Sequence, residues 1–231
     1  MDWMDRLALF STLDAVALVV LLVAWIGATA IIEHAPQSFQ SVSNIMSDYR
    51  REWMCQFLTR EPRIFDSQII ANLRQGTAFF ASASMIAIGG GFALLGNAER
   101  LQGVASDLTL ESGPVVIWEI KLLLLLLFAA NAFLKFVWSN RLFGYCSVLM
   151  AAVPNDPRDP KAKPMALQAA EINITGARSY NRGLRSVYFG IASAAWLLGA
   201  EALLVATIFT LGVILRREFA SESRKVLLSD K

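Results

Sequence analysis

Two charged residues stand where charge is expensive. Glu201 is the only charged residue between Arg185 and Arg216, and Lys121 precedes a run of leucines. A charge near the centre of a hydrocarbon layer costs about 3 kcal/mol on insertion scales, so an acid placed there is by default a functional candidate. Two readings of Glu201 and Lys121 stand side by side. They could form the titrating site of a small transporter or transporter subunit, or a structural Glu–Lys pair fixing two helices together. Glu119, Asn131 and Lys135 lie on the same segment as Lys121, and Asn131 and Lys135 share a helical face.

Other chemistry lacks its residues. His34 is the only histidine, too few for paired imidazole ligation. Cys55 and Cys146 are 91 positions apart with no CxxC spacing, as expected of two separate thiols. Gly89-Gly90-Gly91 lacks the Lys-Ser/Thr of a phosphate loop, and no GxSxG or HExxH occurs. We therefore expect no catalytic residue, no metal ligand and no cofactor. The chain reads as a non-enzyme. A formal net charge of +2 gives no ground for nucleic-acid binding.

The elements that must position these residues are four long apolar stretches, Leu13–Ile32, Gln75–Ala98, Val115–Trp138 and Ser186–Leu215. A helix needs roughly 20 mainly apolar residues to cross a bilayer core about 30 Å thick. Hydrophobic residues make up 55% of the 231 positions, which suits one membrane domain over residues 1–231. Ala28-Thr29-Ala30 resembles a signal-peptide cleavage site. Asp2 and Asp5 against a single Arg6 are the wrong n-region, so the first stretch reads as a permanent span. Ala83, Ala87 and Gly91 form a small-residue stripe, with a similar pair at Ala195 and Gly199, suited to close helix packing.

The connections are amphipathic rather than disordered. Val42, Ile45, Met46, Tyr49, Trp53 and Phe57 recur at helical spacing. Pro62 should break that helix, and Ile64–Leu73 should lead into span two. Leu142–Val153 should prolong span three, and the prolines between Pro154 and Pro164 should form a rigid turn before a helix resumes at Met165. With four spans, the two long connections share one side and carry 12 Lys and Arg, against 7 on the other. The positive-inside rule then puts the connections in the cytoplasm and both termini outside, although the basic tail after Arg216 opposes this. Trp118 and Trp138 bracket span three as an interfacial belt. Arg178, Arg182 and Arg185 form a stripe that could bind anionic headgroups.

Tyr49-Arg50-Arg51-Glu52-Trp53-Met54, Asn72-Leu73-Arg74-Gln75-Gly76-Thr77, Phe133–Ser139 with Arg141, and Asn181–Arg185 with Tyr188-Phe189 resemble an uncharacterised integral-membrane family. It is the domain-of-unknown-function family numbered five-nine-nine, found in bacteria and plants. The resemblance covers nearly the whole chain. It implies four spans in the bacterial inner membrane and no assigned activity. It also draws attention to a layer of Tyr49, Arg50, Trp53, Asn72, Arg74, Lys135, Trp138, Arg141, Arg182 and Arg185. Where that family has a proline in its fourth span, this chain has Ala200-Glu201.

The expectation is an all-α, four-span bundle with cytoplasmic amphipathic helices. Its arginine and aromatic layer would bind anionic membrane lipid or a partner protein, a second copy of the chain included.

Overall fold

A computed structural model describes residues 9–99, 103 and 114–229. Asp2, Asp5, Arg6, Arg100, Lys231 and most of the second connection lie outside the described residues. Seven α-helices occur among the described residues, and no strand. They are α1 (Thr12–Glu33), α2 (Val42–Phe57), α3 (Ile64–Leu95), α4 (Val115–Ala152), α5 (Ala162–Ala194), α6 (Ala200–Phe219) and α7 (Glu222–Leu228).

Local chemistry explains the boundaries. Ser41 caps α2, its Oγ accepting the Asn44 N–H at 3.2 Å and donating to the Ile32 carbonyl at 2.8 Å. The helix ends at Phe57, ahead of Pro62, and α3 then runs without interruption from Ile64 to Leu95. Leu142–Val153 does prolong the third apolar stretch, since α4 is continuous to Ala152. The proline-rich turn holds itself by short-range bonds: Asp156 accepts from the Arg158 N–H and Asp159 from the Lys161 N–H.

Three helices, α1, α3 and α4, are long and apolar enough to cross a membrane. The burial of α3 is inside out. In α3 the buried positions are Asp66, Ile70, Thr77, Ser84 and Gly91, the last four spaced by seven, and three of the five are polar. Phe79, Ile86 and Phe92 face outward, at 67%, 76% and 60% exposure. In water such a surface would drive association; against hydrocarbon it is the natural arrangement.

The chain forms two compact units. The first comprises Met1–Ile31, Ser84–Ala132 and Leu184–Arg217. Here α1 and α5 run antiparallel: Arg185 Nε donates to Thr29 Oγ1 at 3.1 Å, and Trp196 Nε1 to Asp14 Oδ1 at 2.7 Å. The Ser186 hydroxyl donates to Asn131 Oδ1 on α4 at 3.0 Å. Gly91 leaves no room for a methyl beside Leu126, so that end of the small-residue stripe receives a neighbouring helix of the same chain.

The second unit comprises Ile32–Ala83, Phe133–Gly183 and Glu218–Lys231. In it α4 and α5 pack by placing phenylalanine rings on glycines, Phe143 on Gly176 and Phe136 on Gly183. The Ser139 hydroxyl donates to the Gly176 carbonyl at 2.7 Å and the Ser179 hydroxyl to the Lys135 carbonyl at 2.9 Å. Met54, Phe57, Ile70, Cys146 and Met150 build its core. Cys55 and Cys146 are free thiols, as the spacing had indicated.

One element departs from expectation. Ser186–Leu215 is not a single helix: α5 ends at Ala194, a 3-10 turn covers Ala195–Leu198, and Gly199 adopts φ 120° before α6 begins. That conformation strongly favours glycine. Ala195 and Gly199 therefore make a break rather than a packing stripe. Beyond it α6 folds back along α5, placing Arg217 Nη1 3.0 Å from the Tyr188 hydroxyl it donates to.

A methyl at Gly183 would lie 2.7 Å from the fully buried Phe136 ring. Gly183→Ala should cost about 1–3 kcal/mol of overpacking and lower the thermal midpoint in detergent. Gly144→Ala, with open space at its Cβ, should not lower it; equal midpoints for the two variants would contradict this packing.

Candidate functional site

Nine of the ten residues of the expected layer fall in the second unit; Arg185 falls in the first. They do not form one surface. Trp53 donates through Nε1 to Asp66 Oδ1 at 2.7 Å. Asp66, fully buried in the first turn of α3, also takes Arg60, while its Oδ2 has no partner among the described residues. Trp53 thus joins α2 to the start of α3. Arg141 donates to the Tyr145 hydroxyl at 2.5 Å and lies over that ring. Lys135 is half-buried and Trp138 and Tyr49 are exposed. Arg185 is buried beside Thr29.

The remaining members gather at clefts. A cleft of about 410 Å³ lies in the second unit between α2, α3 and α5, bordered by the end of α1 and by Glu218. Arg50 and Asn72 line it, joined by Arg178, Asn44, Asn181 and Tyr180, with Met46, Leu73 and Phe143 as apolar lining. Arg74 lines a separate cleft of about 440 Å³ with Arg63, Phe57 and Ile70.

The electrostatics of the first cleft are lopsided. Both of its acids accept hydrogen bonds, but only Glu33 has a cationic partner among the described residues. Arg182 Nε donates to Glu33 Oε1 at 2.9 Å, and Glu218 accepts the Ser43 N–H and hydroxyl, each at 3.0 Å. Glu33 in turn raises the Arg182 guanidinium above its ordinary range. Its two remaining cations have no carboxylate partner among the described residues. Arg50 is half-buried and donates through Nη1 to the neutral Asn173 side chain. Burial pushes the Arg50 guanidinium below its ordinary value. Arg178 is exposed at the cleft. Two arginines flanked by carboxamides supply donors that an anion can use, beside Glu218, whose charge has no cationic partner among the described residues.

Glu201 and Lys121 are not brought together as an ion pair among the described residues. Glu201 is exposed in the first turn of α6, where the helix N-terminus favours a carboxylate. It is not near the middle of a span, because the break at Gly199 starts a new helix beside it. Lys121 is buried, its ammonium 5.2 Å from the Trp118 ring and 5.7 Å from the Trp196 ring, within electrostatic reach of Asp14. Asp14, the lone acid of the first apolar stretch before Glu33, is the acid that sequence reading passed over. Asn44 and Glu218 were also missed: a neutral amide in a connection carries no motif, and Glu218 was overlooked among the basic residues of the tail.

The fold and site define an all-helical protein with span-capable helices and a polar cleft. Residues 16–223 match the family described as "Protein of unknown function, DUF599", and the chain belongs to that family. No curated protein and no solved structure matches it.

Proposed function

We propose that this is a non-enzymatic, multi-pass inner-membrane protein whose cleft at Arg50 and Arg178 binds the headgroup of an anionic lipid. The observation that carries the proposal is where the cleft falls along the helices. The charge-free stretch of α1 ends at Glu33, that of α3 begins after Arg74, and that of α6 ends before Arg216. Glu33, Asn72, Thr77 and Glu218, all beside those boundaries, line the cleft. In this reading the span-capable α1 and α3, together with α6, leave hydrocarbon at the level of Arg50 and Arg178. That is the depth of lipid phosphates, and a cation close to an anionic surface is worth about 1 kcal/mol.

The hairpin of α5 and α6 bears on orientation. Glu218 bonds Ser43, and Arg224 Nε donates to the Gln40 carbonyl at 2.9 Å, so the basic tail belongs with the long connections. In that reading 17 Lys and Arg share one side, against Arg6 and Arg100 on the other. The opposition of the tail to the positive-inside rule then disappears, and the N-terminus lies outside with the C-terminus in the cytoplasm.

Two experiments test this reading. Native mass spectrometry of protein purified in native membrane particles should show retained anionic phospholipid, reduced about tenfold or more in Arg50→Ala/Arg178→Ala, since each charged hydrogen bond is worth roughly 1.5–3 kcal/mol. Equal retention by the double variant would overturn the site. A reporter fused after residue 231 should be active only in its cytoplasmic form; a periplasmic signal would overturn the orientation.

A further inference from the structure

We infer that the second cleft of the same unit binds a phosphate monoester with an apolar body, through Arg63 and Arg74. This site does not rest on the headgroup site proposed above, since the two clefts share no lining residue. Its shape follows from spacing. Arg63, Ser67, Ile70 and Arg74 recur three or four positions apart, one face at the start of α3, and Met150 and Ala151 line the cleft from α4.

The lining carries two cations and no carboxylate. None of the acids nearest in sequence lines it: Asp66 is paired with Arg60, Asp156 with Arg158, and Glu61 is exposed. Arg74 is exposed, and its side chain has no hydrogen-bond or ion-pair partner among the described residues. Arg63 lies 4.3 Å from the centre of the Phe57 ring, which fixes its plane. It donates only to neutral oxygens, those of Asn155 at 3.3 Å, Pro154 at 3.4 Å and Leu58 at 3.5 Å. Charge-assisted bonds to an anion are shorter, about 2.7–2.9 Å, and would outcompete these.

Two positive charges are matched by two negative ones. A phosphate monoester carries about −1.5 to −2 at pH 7. A carboxylate, sulfate ester or phosphodiester carries one and leaves a cation over. Phe57, Ile70 and Met150, all members of the buried core, give the rest of the ligand an apolar wall. The volume of about 440 Å³ is within the roughly 300–1,000 Å³ of small-ligand pockets. Arg63 lies eleven residues, about 16 Å of helix rise, before the charge-free stretch that begins after Arg74. A soluble ester and a lipid phosphomonoester share this chemistry, and the test separates them.

Full-length protein in phosphatidylcholine nanodiscs is titrated by calorimetry with hexyl phosphate, hexyl sulfate and inorganic phosphate, with empty nanodiscs subtracted. Hexyl sulfate is the decisive control, having the same body and a tetrahedral head with less charge. Hexyl phosphate should bind about tenfold more tightly than either, the worth of one charged hydrogen bond. Equal affinity for hexyl sulfate, or no saturable binding of hexyl phosphate, would overturn the inference. Arg74→Gln should fold, its side chain being exposed, and should weaken hexyl phosphate by about tenfold, with Arg74→Lys recovering part of the loss. Arg50→Ala/Arg178→Ala should leave this affinity unchanged. The reverse pattern, a loss in that double variant and none in Arg74→Gln, would put the ligand in the first cleft and overturn the inference. Nanodiscs containing phosphatidic acid supply the last arm. If they abolish hexyl phosphate binding, and Arg74→Gln retains less phosphatidic acid, the monoester chemistry stands with a lipid as its source. If hexyl phosphate binds them with unchanged affinity, the source is a soluble ester.

Discussion

Everything in this molecule depends on the inverted burial of α3. Few of its residues are buried, and those include Asp66, Thr77, Ser84 and Gly91, while Phe65, Phe79, Ile86 and Phe92 point away. With so few apolar side chains of α3 turned inward, apolar burial is a small part of what holds this helix. Close backbone approach and side-chain hydrogen bonds take that role, as is usual where lipid is the solvent. Phenylalanine rings seated on Gly176 and Gly183, and serine hydroxyls donating to backbone carbonyls at Gly176 and Lys135, are the same solution on α4 and α5.

Polar groups are handled differently in the two units. In the first, charged side chains are enclosed by neighbours: Lys121 against two indole rings, Asp14 accepting from Trp196, Arg185 beside Thr29. In the second, acids and arginines are matched at Glu33·Arg182 and Arg60·Asp66, yet Arg50 and Arg178 are left without an acid. A half-buried guanidinium held only by a neutral amide is costly to the fold. The headgroup proposed above would offset that cost by supplying Arg50 with a negative charge.

Much of the fold was legible in the residues. Periodicity from Val42 to Phe57 located α2, Pro62 its end, and the clustered prolines after Val153 the turn between α4 and α5. The fourth apolar stretch was misread because composition does not register direction. Ser186–Leu215 is uniformly apolar, and only the φ of Gly199 shows that the chain doubles back. That reading carried Glu201 into the middle of one long helix, whereas it stands in the first turn of α6. The arginine layer was partly legible: Arg50 and Asn72 share the cleft, whereas Trp53, Arg141 and Arg182 are engaged with Asp66, Tyr145 and Glu33. Which arginine has an acid depends on contacts far apart in sequence, such as Glu33 with Arg182, and no local pattern encodes them.

The depth of the cleft in the bilayer is the claim on which the functional reading stands. Spin labels placed singly at Asn72, Ile86 and Arg158 in a Cys55→Ser background, with accessibility to oxygen and to a water-soluble nickel complex compared in vesicles, measure it directly. The account predicts Ile86 deep in hydrocarbon, Arg158 in water and Asn72 at the headgroup level between them. An Asn72 label as water-accessible as the one at Arg158, or as deep as the one at Ile86, would contradict it.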